Sequence, residues 1–141
     1  SIAAEVLPLW EDILKNAAFI GGPQVTGLEE EFAAACGTKH AIALSNGTDA
    51  LRFVFMALGV KPGDEVITTP ITWASTGNTI LNMGAKPVFA DICPRTLNLV
   101  PAALEAKITP RTKAIMPVHM AGQPCDMDAI RAEIAEQENG N

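Results

Sequence analysis

The sequence predicts an α/β protein, a three-layer α/β/α fold with a mainly parallel sheet, and three observations carry that reading. Apolar or β-branched runs at about 41–44, 65–69, 86–90 and 113–117 have the length and composition of buried strands. Helical patterns at about 47–58, 74–83, 101–107 and 126–137 separate and follow them. Such βαβ alternation gives right-handed crossovers and gathers ligands at the carboxyl ends of the strands. At 141 residues and 48% hydrophobic, the chain is long enough for one sizeable core and too short for two.

Taken in order, residues 3 to about 18 read as an amphipathic helix with Val6, Trp10, Ile13, Leu14 and Ala17 on one face. Pro8 is tolerated in a first turn, which places the start of that helix near Leu7. Phe19-Ile20-Gly21-Gly22-Pro23 breaks it. Thr26-Gly27-Leu28-Glu29 then reads as a capping box, and Leu28, Phe32, Ala35 and Cys36 as the apolar face of a second helix closed by Gly37. Residues 1–38 are accordingly a helical arm, and residues 39–141 an α/β domain. Within that domain Leu51/Val54/Phe55/Leu58 and Met127/Ile130/Ile134 keep helical spacing and are expected to pack on the sheet, with Gly59 as a left-handed cap. Pro62-Gly63-Asp64, Gly84-Ala85-Lys86-Pro87 and Pro94-Arg95-Thr96 form loops, Asp91 caps or turns, and the acidic run from Glu133 to Asn141 is a fraying helix and tail.

Composition excludes several classes. A net charge of −6 with ten scattered Lys and Arg argues against nucleic acid as a partner. No apolar run approaches the ~20 residues of a membrane span, and no basic segment precedes an apolar one at the start. Cys36, Cys93 and Cys125 are odd in number and lack metal-ligand spacing, which points to small buried thiols in the cytoplasm and to no metal.

The chemistry centres on Ser45-Asn46-Gly47-Thr48-Asp49-Ala50-Leu51, where an apolar run gives way to a helix. The first N–H groups of a helix lack intrahelical partners and attract anions. Gly47 lets backbone approach a ligand, and the hydroxyls of Ser45 and Thr48 with the helix N-terminus are suited to a phosphate. The same residues are also good turn and capping chemistry with no ligand at all. Three segments converge if ligands gather at the strand carboxyl ends: Ser45 to Thr48, Pro70 to Ser75, and Pro117 to Gln123. Trp73 suits either a planar ring or the core beside its helix, and His119 either a catalytic or a hydrogen-bonded structural role. A dinucleotide-binding reading would need G-x-G-x-x-G after the first strand, and Ser45-Asn46-Gly47-Thr48 is not one.

Together the motifs resemble one family. Gly22-Pro23-Gln24-Val25, Leu28-Glu29-Glu30-Glu31-Phe32-Ala33, Ser45 to Leu51, Pro62-Gly63-Asp64-Glu65-Val66-Ile67, Gly84 to Phe89, Ile108 to Ile115, and Pro117-Val118-His119 with Gly122-Gln123-Pro124 and Asp126-Met127 are similar to the DegT/DnrJ/EryC1/StrS family. Its members are pyridoxal-phosphate sugar aminotransferases of aspartate-aminotransferase fold type I. The resemblance implies that Gly47 and Thr48 hold the cofactor phosphate and that Trp73 stacks on the pyridine ring. Ser45, Asn46, His119 and Gln123 are implied near the site. It further implies glutamate as a donor, a nucleotide-linked keto-sugar as acceptor, and an active site at a homodimer interface.

The family's Schiff-base lysine, the carboxylate that pairs with the pyridine nitrogen, and the small C-terminal domain lie beyond the last matched motif. Residues 39–141 are therefore expected to be a truncated large domain, inactive alone, whether as a natural product or as a piece of a longer protein. The alternative is a stand-alone, self-associating, non-catalytic α/β protein. In the resembled fold the first strand is separated from the next three by strands that come later, so this chain is expected not to be a monomer.

Overall fold

The computed structural model describes residues 1–139, and the tail expected at Gly140-Asn141 lies outside the described residues. It divides into two compact units, residues 1–45 and residues 46 onward.

The first unit holds two helices, α1 (Ile2–Asn16) and α2 (Pro23–Cys36). α1 starts at Ile2 rather than near Leu7, and Pro8 sits inside it. Ala3, Ala4 and Glu5 are strong helix formers, and Ala4, whose carbonyl has no N–H donor at Pro8, is an exposed residue. Gly21 and Gly22 take φ of +65° and +101°, and Pro23 opens α2 with its fixed φ. α2 thus begins three residues ahead of the expected capping box, leaving Thr26 inside the helix. Gly37 closes it in the left-handed conformation, its N–H shared between the carbonyls of Ala33 and Ala34.

Residues 41–44 form no strand. A strand persists by pairing its backbone groups; here the Ala43 N–H donates to Glu29 Oε1 at 2.8 Å, and Ile42 is 77% exposed. Among the described residues of this unit Ala33 alone is buried.

The second unit is built on three parallel strands, β1 (Glu65–Thr68) between β2 (Lys86–Phe89) and β3 (Thr112–Met116). All four residues of β1 are buried, and alternate side chains serve opposite faces. Val66 clusters with Phe55, Val60, Ile80 and Ala85 under α3 (Gly47–Ala57) and α4 (Ala74–Asn82). Ile67 clusters with Ala90, Leu99, Leu104, Cys125 and Ile130 under α5 (Met127–Asn139), with Met127 and Ile134 packed at its margin. The expected helix at 101–107 resolves into two 3-10 turns, Pro101–Ala103 and Glu105–Lys107, on this same face. The result is the expected three-layer α/β/α arrangement.

The α3 face packs less completely than expected. Phe55 is 3% exposed, but Val54 and Leu58 remain 54% and 51% exposed, because the three-stranded sheet does not extend beneath the whole helix.

One buried carboxylate joins the amino ends of the three strands. Glu65 accepts hydrogen bonds from Thr109 Oγ1 at 2.7 Å, Arg111 Nη2 at 2.9 Å and Lys86 Nζ at 3.3 Å. The Thr109 hydroxyl, then the Arg111 guanidinium and the Lys86 ammonium hold its pKa down to about 2.

Candidate functional site

Helices antiparallel to a parallel sheet bring their N-termini to the carboxyl ends of the strands, and α3 and α4 do so side by side. α3 starts where Asn46 caps it, Oδ1 accepting the Asp49 N–H at 2.9 Å. α4 starts after β1 has turned through Thr69 to Thr72, with Trp73 at the capping position in extended geometry. The Thr48 hydroxyl donates to the Ser75 hydroxyl at 3.1 Å and links the two N-termini. Between them lies a cavity of about 470 Å³, lined by Gly47, Thr48, Leu51, Trp73, Ser75 and Thr76.

The donors of this cavity can be traced. Thr72 and Thr76 hydroxyls bond each other at 2.8 Å, and the Thr76 N–H goes to the Trp73 carbonyl. The Asp49 N–H is taken by Asn46. The first-turn N–H groups of Gly47, Thr48, Ala74 and Ser75 have no intrahelical acceptor. A Cβ built on Gly47 meets nothing within 4 Å, so open space lies directly before that backbone. Trp73 is 80% exposed, which settles its alternatives against the core. Converging N–H groups at two positive helix ends suit a phosphate, and an exposed indole suits a flat ring. The residues present fit pyridoxal phosphate.

Gly47, Thr48 and Trp73 are thus brought together at one cavity, and the other expected residues are not among those that line it. Asn46 is occupied as a cap. Ser45 falls in the first unit, whereas every residue lining the cavity is in the second. His119 follows β3, where its Nδ1 accepts the Cys125 N–H at 3.0 Å. Gln123 offers its carbonyl to Asn98 Nδ2 at 3.0 Å. Sequence reasoning missed Ser75, which lay inside a noted segment, and Asn98, for which Leu97-Asn98-Leu99 gave no signal. Of the three thiols, Cys125 alone is buried, and burial pushes its pKa up. Cys93 is half-buried, and hydrogen bonds from the backbone of Thr96 and Arg95 lower its pKa; Cys36 is exposed. The expectation of small buried thiols therefore holds for one of them. Among the described residues no cluster of metal-ligating side chains occurs, and no helix is long and apolar enough to cross a membrane.

A parallel three-layer fold with paired helix N-termini at its strand ends is the architecture of pyridoxal-phosphate transferases of fold type I, of which this chain covers part. The chain belongs to the DegT/DnrJ/EryC1/StrS aminotransferase family, whose model matches residues 1–139. It is 59% identical over 121 residues to the spore coat polysaccharide biosynthesis protein SpsC of Bacillus subtilis, covering 86% of this chain and 31% of that protein. It is 56% identical over 120 residues to the UDP-2-acetamido-2-deoxy-3-oxo-D-glucuronate aminotransferase of Pseudomonas aeruginosa, covering 85% and 33%. The crystal structure of NtdA from Bacillus subtilis with bound cofactor PMP superposes with a TM-score of 0.92 at 36% identity, covering 97% of this chain and 31% of that one. Pyridoxal phosphate is the family's cofactor. The chain spans about a third of the length of the relatives it matches.

Proposed function

We propose that this chain is the cofactor-cradling portion of a pyridoxal-phosphate-dependent aminotransferase that moves an amino group from glutamate to a nucleotide-linked keto-sugar. Gly47 and Thr48 hold the cofactor phosphate and Trp73 stacks on its ring. The observation that carries this reading is the cavity between two helix N-termini, joined by the Thr48–Ser75 hydrogen bond and walled by an exposed indole. When bound, the cofactor supplies an electron-withdrawing ring and a carrier for the amino group. Three unpaired thiols favour the cytoplasm as its compartment.

The 141-residue chain by itself does not transaminate. That chemistry needs a lysine at the ring, and none of the six lysines lines the cavity. Lys86 is committed to Glu65 at the opposite end of the sheet, and Lys113 and Lys39 border other clefts. The test is incubation with pyridoxal phosphate, borohydride reduction and peptide mapping, beside an assay for keto-acid formed from glutamate. Scattered substoichiometric labelling without turnover is expected; a stoichiometric adduct at one lysine with turnover overturns the claim.

A second reading, a self-associating non-catalytic protein, draws on the apolar side chains left in water. Trp10, Phe19, Ile20, Phe32 and Ile42 are each at least 59% exposed.

A further inference from the structure

We infer that Ser75, and not Thr48, supplies the hydroxyl that donates to the phosphate, with Thr48 as the residue that orients it. This rests on the reading above that the cavity holds a pyridoxal phosphate. A hydroxyl has one proton to give and two lone pairs. The Thr48 proton is committed to Ser75 Oγ at 3.1 Å, so Thr48 Oγ1 turns lone pairs toward an arriving anion and contributes through its N–H. Ser75 accepts that bond on one lone pair and keeps its own proton. The incoming bond polarises the Ser75 O–H and strengthens it as a donor.

Position reinforces the chemistry. Ser75 is the second residue of α4, so its N–H is one of the orphan donors of the first turn and lies on the same residue as the free O–H. Of the neighbouring hydroxyls, Thr72 and Thr76 bond each other at 2.8 Å, which commits one of their two protons. The phosphate is accordingly gripped from both sides: by the N-terminus of α3 through Gly47 and Thr48 N–H, and by the N-terminus of α4 through Ser75 O–H and N–H. Two positive helix ends with donors on opposite sides select a terminal dianionic phosphate.

The test uses pyridoxine phosphate and pyridoxine, which share the ring, differ in the phosphate, and lack the aldehyde that would label surface lysines. Both are titrated against the chain in a Trp10→Phe background, where Trp73 is the sole tryptophan, and the readout is the ratio of the two affinities from fluorescence quenching. Partial unfolding of a variant reduces both affinities alike and leaves the ratio intact. Ser75→Ala is expected to lower the phosphate preference by roughly tenfold, the worth of one hydrogen bond to a charged group. Ser75→Thr restores it, and Thr48→Val lowers it by about threefold or less, since the Thr48 N–H and the Ser75 hydroxyl both remain. The full loss in Thr48→Val with none in Ser75→Ala assigns the donor to Thr48 and overturns the proposal. Equal affinity of the unsubstituted chain for both compounds, or binding of neither, overturns the phosphate reading itself and this inference with it.

Discussion

An added methyl group has opposite consequences at two glycines on opposite ends of the sheet. Gly84 sits at φ +72° before β2, and a Cβ there would lie 2.8 Å from Pro62 Cγ. Gly84→Ala is expected to cost about 2 kcal/mol or more, combining left-handed strain with the clash. Gly47 has neither strain nor a neighbour within 4 Å, so Gly47→Ala leaves stability unchanged or raises it by up to about 1 kcal/mol. The same methyl group fills the space before the phosphate donors, and pyridoxine phosphate affinity falls by about tenfold or more. Urea denaturation and fluorescence titration of the two variants check both signs. Glu65 gives a pH prediction. Its folded pKa, about 2, lies below its ordinary 4.5, so between these values the unfolded chain binds more protons than the folded one. Stability from this group is full above about pH 4.5 and is lost as pH falls toward 2. Acid titration of Glu65→Gln, followed by circular dichroism, should show a shallower loss through that window, and an unchanged acid limb would refute the assignment.

At the scale of elements, the connection from β3 to α5 shows how one polar side chain organises a turn. Asn98 is 5% exposed; its Nδ2 donates to the carbonyls of Gln123 and Pro124, and its Oδ1 accepts the Met120 N–H at 3.1 Å. Leu97 and Ala121, both non-glycine, are held at φ of +60° and +51° on either side of this exchange. Left-handed backbone at such residues costs about 1–2 kcal/mol each, and the buried amide is what sustains it. Asn98→Ala leaves three backbone groups without their partner and is expected to destabilise the chain by about 2–4 kcal/mol. Hydrogen exchange separates this from a general loss of packing: the Met120 amide should lose protection first, and uniform loss across the sheet would contradict the tether.

For the whole molecule, the open question is what covers the surfaces that folding leaves apolar. β2 and β3 are both edge strands among the described residues. Beside β3 runs a groove of about 420 Å³ whose lining includes Ile108, Ala114, Ile115 and Ile134. In the first unit Ile20 is 97% exposed and Phe19 66%. Unpaired edges and large apolar patches drive association, so the 14.9 kDa chain is expected to show a concentration-dependent mass above that of a monomer. Multi-angle light scattering measures this, and a monomer at high micromolar concentration would count against it. Trp10→Glu with Phe19→Glu should weaken the association by about tenfold if the arm contributes, as two buried aromatics would.

The sequence by itself determined three strands, expected at about 65–69, 86–90 and 113–117 and found at 65–68, 86–89 and 112–116, together with the helices α3, α4 and α5 and the pair Gly47–Thr48 at a helix start. These are legible because apolar periodicity, glycine caps and turn residues are local signals. The motif order fixed the family for the same reason. Tertiary structure alone decided that residues 41–44 form no strand and that Trp73 stands in solvent. It also decided that His119 is spent on Cys125 and that the Thr48 proton goes to Ser75. Pairing partners, exposure and the direction of a hydrogen bond depend on what lies across the fold, 27 residues away in the case of Thr48 and Ser75. No spacing along the chain records where a single proton points.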